Sequence, residues 1–208
     1  MKKEKVKIDL RRETFKKVEQ MHPHQIMLYV ALIGSSVLFL FLVVAFTASR
    51  PTNSDFLKIE FPKFFVVSTV LMLLSSFSVS KIIPAYEKDE LEKLKKWLGI
   101  TFLLGLTFAT SQFLGWRELQ ENQILFSGVR SGAYLYVITG LHVVHVVAIL
   151  LYAVRLLVKC NKVSLDAVQS LIYCTNPYQK IRFKMLTDFW HFVDVLWLLL
   201  FFYLLFSF

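Results

Sequence analysis

The sequence predicts an all-α polytopic membrane protein, a bundle of five transmembrane helices with the N-terminus inside and the C-terminus outside. Three observations predict it. First, 56% of the 208 residues are hydrophobic, 20 of them Phe, and only 19% are charged; soluble domains sit near 45–50% and about 25%. That much apolar surface excludes a disordered chain and is more than a small soluble domain can hide. Second, five apolar runs are each long enough to cross a hydrocarbon core of about 30 Å, which takes about 20 helical residues. The runs are continuous and not alternating, so the spans are helices and not barrel strands. Third, the basic residues fall almost entirely on alternate connections.

The elements follow in order. Residues 1–24 form a basic arm in which Val6, Leu10, Thr14 and Val18 recur every four residues, a weak helical stripe that suits either a surface-lying helix or a solvated arm. The first apolar run sits behind this charged arm and is too long for the apolar region of a signal peptide. The membrane domain occupies residues 25–208, with spans predicted at 25–48, 64–83, 97–115, 133–158 and 185–208. A tight connection is predicted at 50–60, around Pro51 and Asn53. Residues 87–96 alternate blocks of acid and base and read as a helical extension of the third span, with pairs such as Glu92 and Lys96. The longest connection is predicted at 159–184. Both cysteines, Cys160 and Cys174, fall in it, too few for a disulfide scaffold and, on the reducing side, free thiols.

The net charge is +9, from 24 Lys and Arg against 15 Asp and Glu. Nineteen of the 24 basic residues lie in the arm and in the second-to-third and fourth-to-fifth connections; Arg50, Lys58, Lys63, Arg117 and Arg130 lie on the other side. Lys and Arg are retained on the cytoplasmic side, so the charge sets topology, with some of it near anionic lipid heads. It calls for no nucleic-acid partner.

Ionisable groups inside a bilayer are costly and are functional candidates by default. The fourth span holds His142 and His145, three apart and so on one helical face; the fifth holds His191 and Asp194, again three apart, flanked by Trp190 and Trp197, with Asp188 near its inner end. An ionised Asp194 needs a partner within the bundle, and a hydrogen-bonded His–Asp cluster joining the fourth and fifth spans would supply it. Metal ligation by the three histidines and proton relay through them are the other readings; His-x-x-His alone is a weak metal motif, and no carboxylate or thiolate stands at ligand spacing on the other spans. Ser35, Ser36, Ser75, Ser76 and Ser78 in the first two spans suit close helix packing and interhelical hydrogen bonds. Trp116 is expected as an aromatic at the membrane interface.

The run Phe189-Trp190-His191-Phe192-Val193-Asp194-Val195-Leu196-Trp197 resembles the last-helix signature of the cytochrome c oxidase subunit III family of haem–copper oxidases. The stretch from Ser131 to Val146, with Gly140-Leu141-His142-Val143-Val144-His145, resembles the family's penultimate helix, and Gln112 with Trp116 the motif ending the helix before it. The resemblance implies a five-helix bacterial form of the family, in the cell membrane. It implies a subunit with no haem, copper or catalytic centre of its own, packed on subunit I of a proton-pumping oxidase whose partner subunits carry haem and copper. It also implies bound phospholipids, support of subunit I and of its proton uptake, and a head-group contact near Lys159. Two family carboxylates are replaced: Ser36 and Gly115 stand at the vacated acidic positions, which leaves His142, His145, His191 and Asp194 as a structural polar network. A subunit of a quinol oxidase or nitric oxide reductase is the alternative within the family. A free-standing metalloenzyme or a small transporter is the alternative outside it, although the paired broken helices of transporters are missing from the sequence.

Overall fold

In the computed structural model the described residues are 21–49, 62–121 and 130–206. The basic arm before residue 21 and the connection at 50–60 lie outside them. The described residues form seven helices: α1 (Pro23–Ala48), α2 (Lys63–Val79), α3 (Ile82–Glu87), α4 (Leu91–Glu121), α5 (Arg130–Val163), α6 (Ala167–Thr175) and α7 (Pro177–Leu205). Five stretches are long and apolar enough to span a membrane, α2 and α3 together making one of them. The chain is a multi-pass membrane protein.

Local chemistry sets the boundaries. α1 starts at Pro23 because His22 caps it: the His22 ring accepts from the His24 N–H, and the Gln25 side chain accepts from the His22 N–H, both at 3.3 Å. The second span breaks at Ser80–Lys81, one turn before Pro84, which has no N–H for the Ser80 carbonyl and crowds it. The chain then reverses through Lys88 and Asp89. Asp89 has φ 57°, a left-handed conformation that Asp tolerates better than most residues.

The sequence predicts one long connection at 159–184, and the structure replaces it with helix almost throughout. α5 runs on to Val163, α6 occupies 167–175 and α7 begins at Pro177. Asp166 caps α6 by accepting from the Val168 and Gln169 N–H groups, and Asn176 caps α7 by accepting from Tyr178 N–H, with Pro177 in the first helical position. The cap residues and Pro177 are visible in the sequence; the long polar stretch around them conceals the continuity. The acid–base blocks of α4 pair at i,i+3, Glu90 with Lys93 at 2.7 Å and Glu92 with Lys95 at 2.6 Å, and not at the expected i,i+4.

α2, α4, α5 and α7 form the core, α2 packing most extensively on α4; α1 lies at the edge against α5 and α7. The core-facing stripes follow helical periodicity. On α5 they are Leu135, Ile138, His142, Val146, Ile149, Ala153, Leu156 and Cys160, and on α7 Phe183, Leu186, Trp190, Asp194, Trp197 and Leu204, all buried. Two glycines permit close approach: a Cβ on Gly105 would sit 2.8 Å from the Trp190 ring, and one on Gly115 2.5 Å from the Phe65 ring.

Candidate functional site

Of the ionisable side chains of the fourth and fifth spans, His142 and Asp194 are buried and His145, Asp188 and His191 half-buried, and they do not form one cluster. His142 and Asp194 are both buried, and no hydrogen bond joins them. The expected His–Asp cluster separates because neighbouring residues on α5 and α7 face different helices.

His142 sits in an aromatic cage. Its ring lies 5.1 Å from Trp197, 5.6 Å edge-on from Phe108 and 6.5 Å from Phe39. One turn on, His145 faces the first span. Its Nδ1 is 2.8 Å from the Leu141 carbonyl and its Nε2 is 3.0 Å from the Ser35 hydroxyl. A carbonyl only accepts, so Nδ1 carries a hydrogen and donates to Leu141, while Nε2 pairs with the Ser35 hydroxyl. His145 thereby ties α5 to α1.

His191 and Asp194 face the second span. His191 Nδ1 lies 3.0 Å from the Ser76 hydroxyl and 3.8 Å from the Asp194 carboxylate. The flanking tryptophans reach the same helix: Trp190 donates to Ser75 and Trp197 to Thr69, each at 3.0 Å. Four residues of the last-span signature therefore line up along α2. Of the five serines singled out, Ser35, Ser75, Ser76 and Ser78 make side-chain hydrogen bonds to other helices, Ser78 with Thr101 at 2.7 Å. Thr69 was not among the sequence candidates; it stands seven residues before Ser76, and that spacing puts both on one helical face. Two further ties join α1 to α7, Tyr29 to Asp188 at 2.7 Å and Thr47 to Tyr203 at 2.5 Å.

Ser36 and Gly115, which the resemblance marks as acidic positions of the family, have different surroundings. Ser36 is exposed, turns back to the Leu32 carbonyl at 2.9 Å and borders an apolar groove of about 490 Å³ between α1 and α7. Gly115 is buried under the Phe65 ring, which fills the space a side chain would take. Beside it Trp116, expected at the membrane interface, is half-buried and donates to Thr139 on α5 at 3.0 Å. Gln112, on the same helix, is fully buried.

At the basic end a cavity of about 300 Å³ is lined by His22, His24, Tyr152, Arg155, Lys159 and Arg182, among others. The Lys159 ammonium also lies 5.4 Å from the Tyr173 ring centre. Burial pushes the Tyr173 hydroxyl and the Cys174 thiol up from their ordinary values. Both cysteines are buried free thiols. No group of three or more His, Cys, Asp or Glu side chains converges as a metal site among the described residues. Chemically, the arrangement supplies interhelical hydrogen bonds in the bundle and a cationic mouth at one end.

The family described as Cytochrome c oxidase subunit III matches residues 57–207, nearly three quarters of the chain. The chain is 29% identical over 133 residues to the "Probable cytochrome c oxidase subunit 3" of Mycobacterium tuberculosis, a match covering 64% of this chain and 61% of that protein. It is 28% identical over 171 residues to the "Cytochrome c oxidase subunit 3" of Bacillus sp. PS3, covering 81% and 78%. It is 31% identical over 138 residues to the "Cytochrome bo(3) ubiquinol oxidase subunit 3" of Buchnera aphidicola, covering 65% of each chain. These relatives are bacterial, and with five apolar helices the chain is a multi-pass protein of the bacterial inner membrane. It belongs to the cytochrome c oxidase subunit III family.

Proposed function

We propose that the chain is a non-catalytic membrane subunit of a proton-pumping haem–copper terminal oxidase. It packs on subunit I, which with other partner subunits carries the haem and copper. The family match over 57–207, which takes in the last-span signature, is the observation that carries the reading. The chain lies with its N-terminus and basic connections inside and its C-terminus outside, an orientation supported by the positive-inside charge split. Residues 1–24 act as a basic cytoplasmic arm to the membrane domain.

In this reading His142, His145, His191 and Asp194 fix the bundle so that it presents a constant surface to subunit I. Ser36 and Gly115 contribute no carboxylate, so the polar network is reduced to Asp194 and the three histidines. The cavity beside Lys159, Arg155 and Arg182 suits the phosphate of a bound phospholipid, since cations at the membrane surface attract anionic head groups.

Gentle detergent purification through a tag on this chain tests the reading. The expected result is a large many-helix partner and a reduced-minus-oxidised haem spectrum. A colourless chain that purifies alone from membranes with oxidase activity would overturn it. A quinol oxidase is the second reading, favoured by the Buchnera relative; oxidation of quinol, and not of cytochrome c, by the purified complex would select it.

A further inference from the structure

Helix α6 carries its apolar residues on the outside. Tyr173 and Cys174 are buried against the bundle, while Val168, Leu171 and Ile172 are 67%, 62% and 61% exposed. Leu165, just before the helix, is 88% exposed. At 100° per residue these three helical residues and Thr175 share an arc of about 100°, opposite the buried side. An exposed apolar face of this kind marks an interaction surface.

The height of α6 in the bundle selects its partner. The Tyr173 hydroxyl lies 3.7 Å from Cys160 Sγ, and its ring lies 6.3 Å from Phe183. Cys160 stands two residues past the end of the apolar run of α5, and Phe183 two residues before the start of that of α7. At 1.5 Å per residue, α6 is anchored about 3 Å beyond the hydrocarbon edge. The head-group layer is about 5–7 Å deep on each side. Charge agrees with that depth. Between residues 159 and 184 stand Lys159, Lys162, Lys180, Arg182 and Lys184, against a single acid, Asp166, which is spent capping α6; Lys180 pairs with Glu87 of α3 at 2.8 Å, and the other four carry the charge of this end. A surface that is apolar at this depth and anionic around it complements the helix, and an acidic phospholipid leaflet has that chemistry.

We propose that α6 is an in-plane membrane anchor. Leu165, Val168, Leu171 and Ile172 enter the head-group–acyl boundary of the leaflet at the basic end, and the surrounding Lys and Arg hold its anionic heads. The anchor is independent of the oxidase reading.

Spin labels at Val168→Cys and Ile172→Cys test it, with Lys88→Cys, an exposed position in the α3–α4 turn, as the water control. The tagged chain, with whatever co-purifies, is placed in nanodiscs containing phosphatidylglycerol; both native thiols are buried, and the unsubstituted chain gives the labelling background. Dissolved oxygen should collide with labels 168 and 172 several-fold more than a nickel chelate does, and the reverse should hold at 88. A nickel advantage at 168 and 172 would place the face in water and overturn the proposal. Loss of collisions with both would place a protein on it and also overturn it. In phosphatidylcholine alone the oxygen advantage should shrink; an unchanged ratio would overturn the anionic requirement.

Discussion

The indole N–H of Trp190 donates to the Ser75 hydroxyl at 3.0 Å, and the next residue, His191, meets the next serine, Ser76, at the same distance. Two adjacent residues of α7 thus read two adjacent hydroxyls of α2. In a bilayer the lipid tails are as apolar as the helix surface, so packing and such hydrogen bonds carry the association. Ser75→Ala and Trp190→Phe each remove one partner. Each should destabilise the bundle by about 1 kcal/mol, and the double variant by less than the sum, with a coupling of about 0.6–1.7 kcal/mol. Unfolding titrations in mixed micelles measure this cycle; strict additivity would show that the contact contributes packing alone.

Asp194 is buried, 3.8 Å from His191, on the face of α7 turned toward α2. Asp194→Leu removes the group that His191 faces and should loosen the subunit. Expected is a lower yield of this chain in the purified complex, with haem absorption of the remaining complex unchanged. Loss of a haem band would mean that the residue supports a redox centre directly.

The first-order fold was legible in the sequence because lipid imposes it. Continuous apolar runs have few alternatives to a helix, and charge sorting between loops is a separate signal that agrees with the span count. The candidate side chains were legible one by one, since an ionisable residue inside a span is conspicuous. Their partners were not. Whether His145 meets Asp194 or Ser35 depends on the rotation of α5 against two neighbours, and sequence spacing along one helix gives only which residues share a face. The stretch 159–184 was misread for a related reason: its helices are held by caps and by packing of Tyr173 against α5 and α7, and not by a long apolar run.

Gly115 packs under the Phe65 ring, which fills the space a side chain would take. Placing a carboxylate there alone should therefore fail. Gly115→Glu forces the Phe65 ring aside and buries a carboxylate, and overpacking alone costs about 1–3 kcal/mol. Gly115→Ala should already destabilise, because its Cβ would lie 2.5 Å from the ring. Phe65→Ala should partly rescue both variants. Thermal melting of the purified chain measures the series; a stable Gly115→Glu single variant would show that α2 moves away easily.

Cys174 should react slowly. Burial raises its thiol above the ordinary range, so a smaller thiolate fraction is present at neutral pH, and the thiolate is the nucleophile. Maleimide labelling of native membranes at pH 7 should be slow at Cys174, rise with pH over a higher range than for a free thiol, and become fast in denaturant. The sign for stability is the same. The folded thiol holds its proton more tightly than the unfolded one, so this contribution is complete below the unfolded thiol's range and is lost as pH rises. Rapid native labelling would place the thiol in solvent.

Tyr86 closes the basic end of the bundle. Its hydroxyl lies 3.0 Å from the Tyr173 carbonyl and 2.7 Å from the Asn176 carbonyl, so one group from the second span serves the end of α6 and the joint between α6 and α7. Tyr86→Phe keeps the ring against Phe183, 5.3 Å away, and removes only the hydroxyl. The Tyr173 carbonyl then loses its donor, and a buried acceptor left unsatisfied costs about 1–3 kcal/mol, while the Asn176 carbonyl keeps the Gln179 N–H at 3.0 Å. The loss should be local, because the interior contacts of α2, α5 and α7 do not pass through this hydroxyl. Amide exchange should accelerate in residues 167–180 and stay unchanged in the middles of α5 and α7. If exchange accelerates throughout α7, Tyr86 is coupled to the whole bundle and α6 does not open as a separate unit.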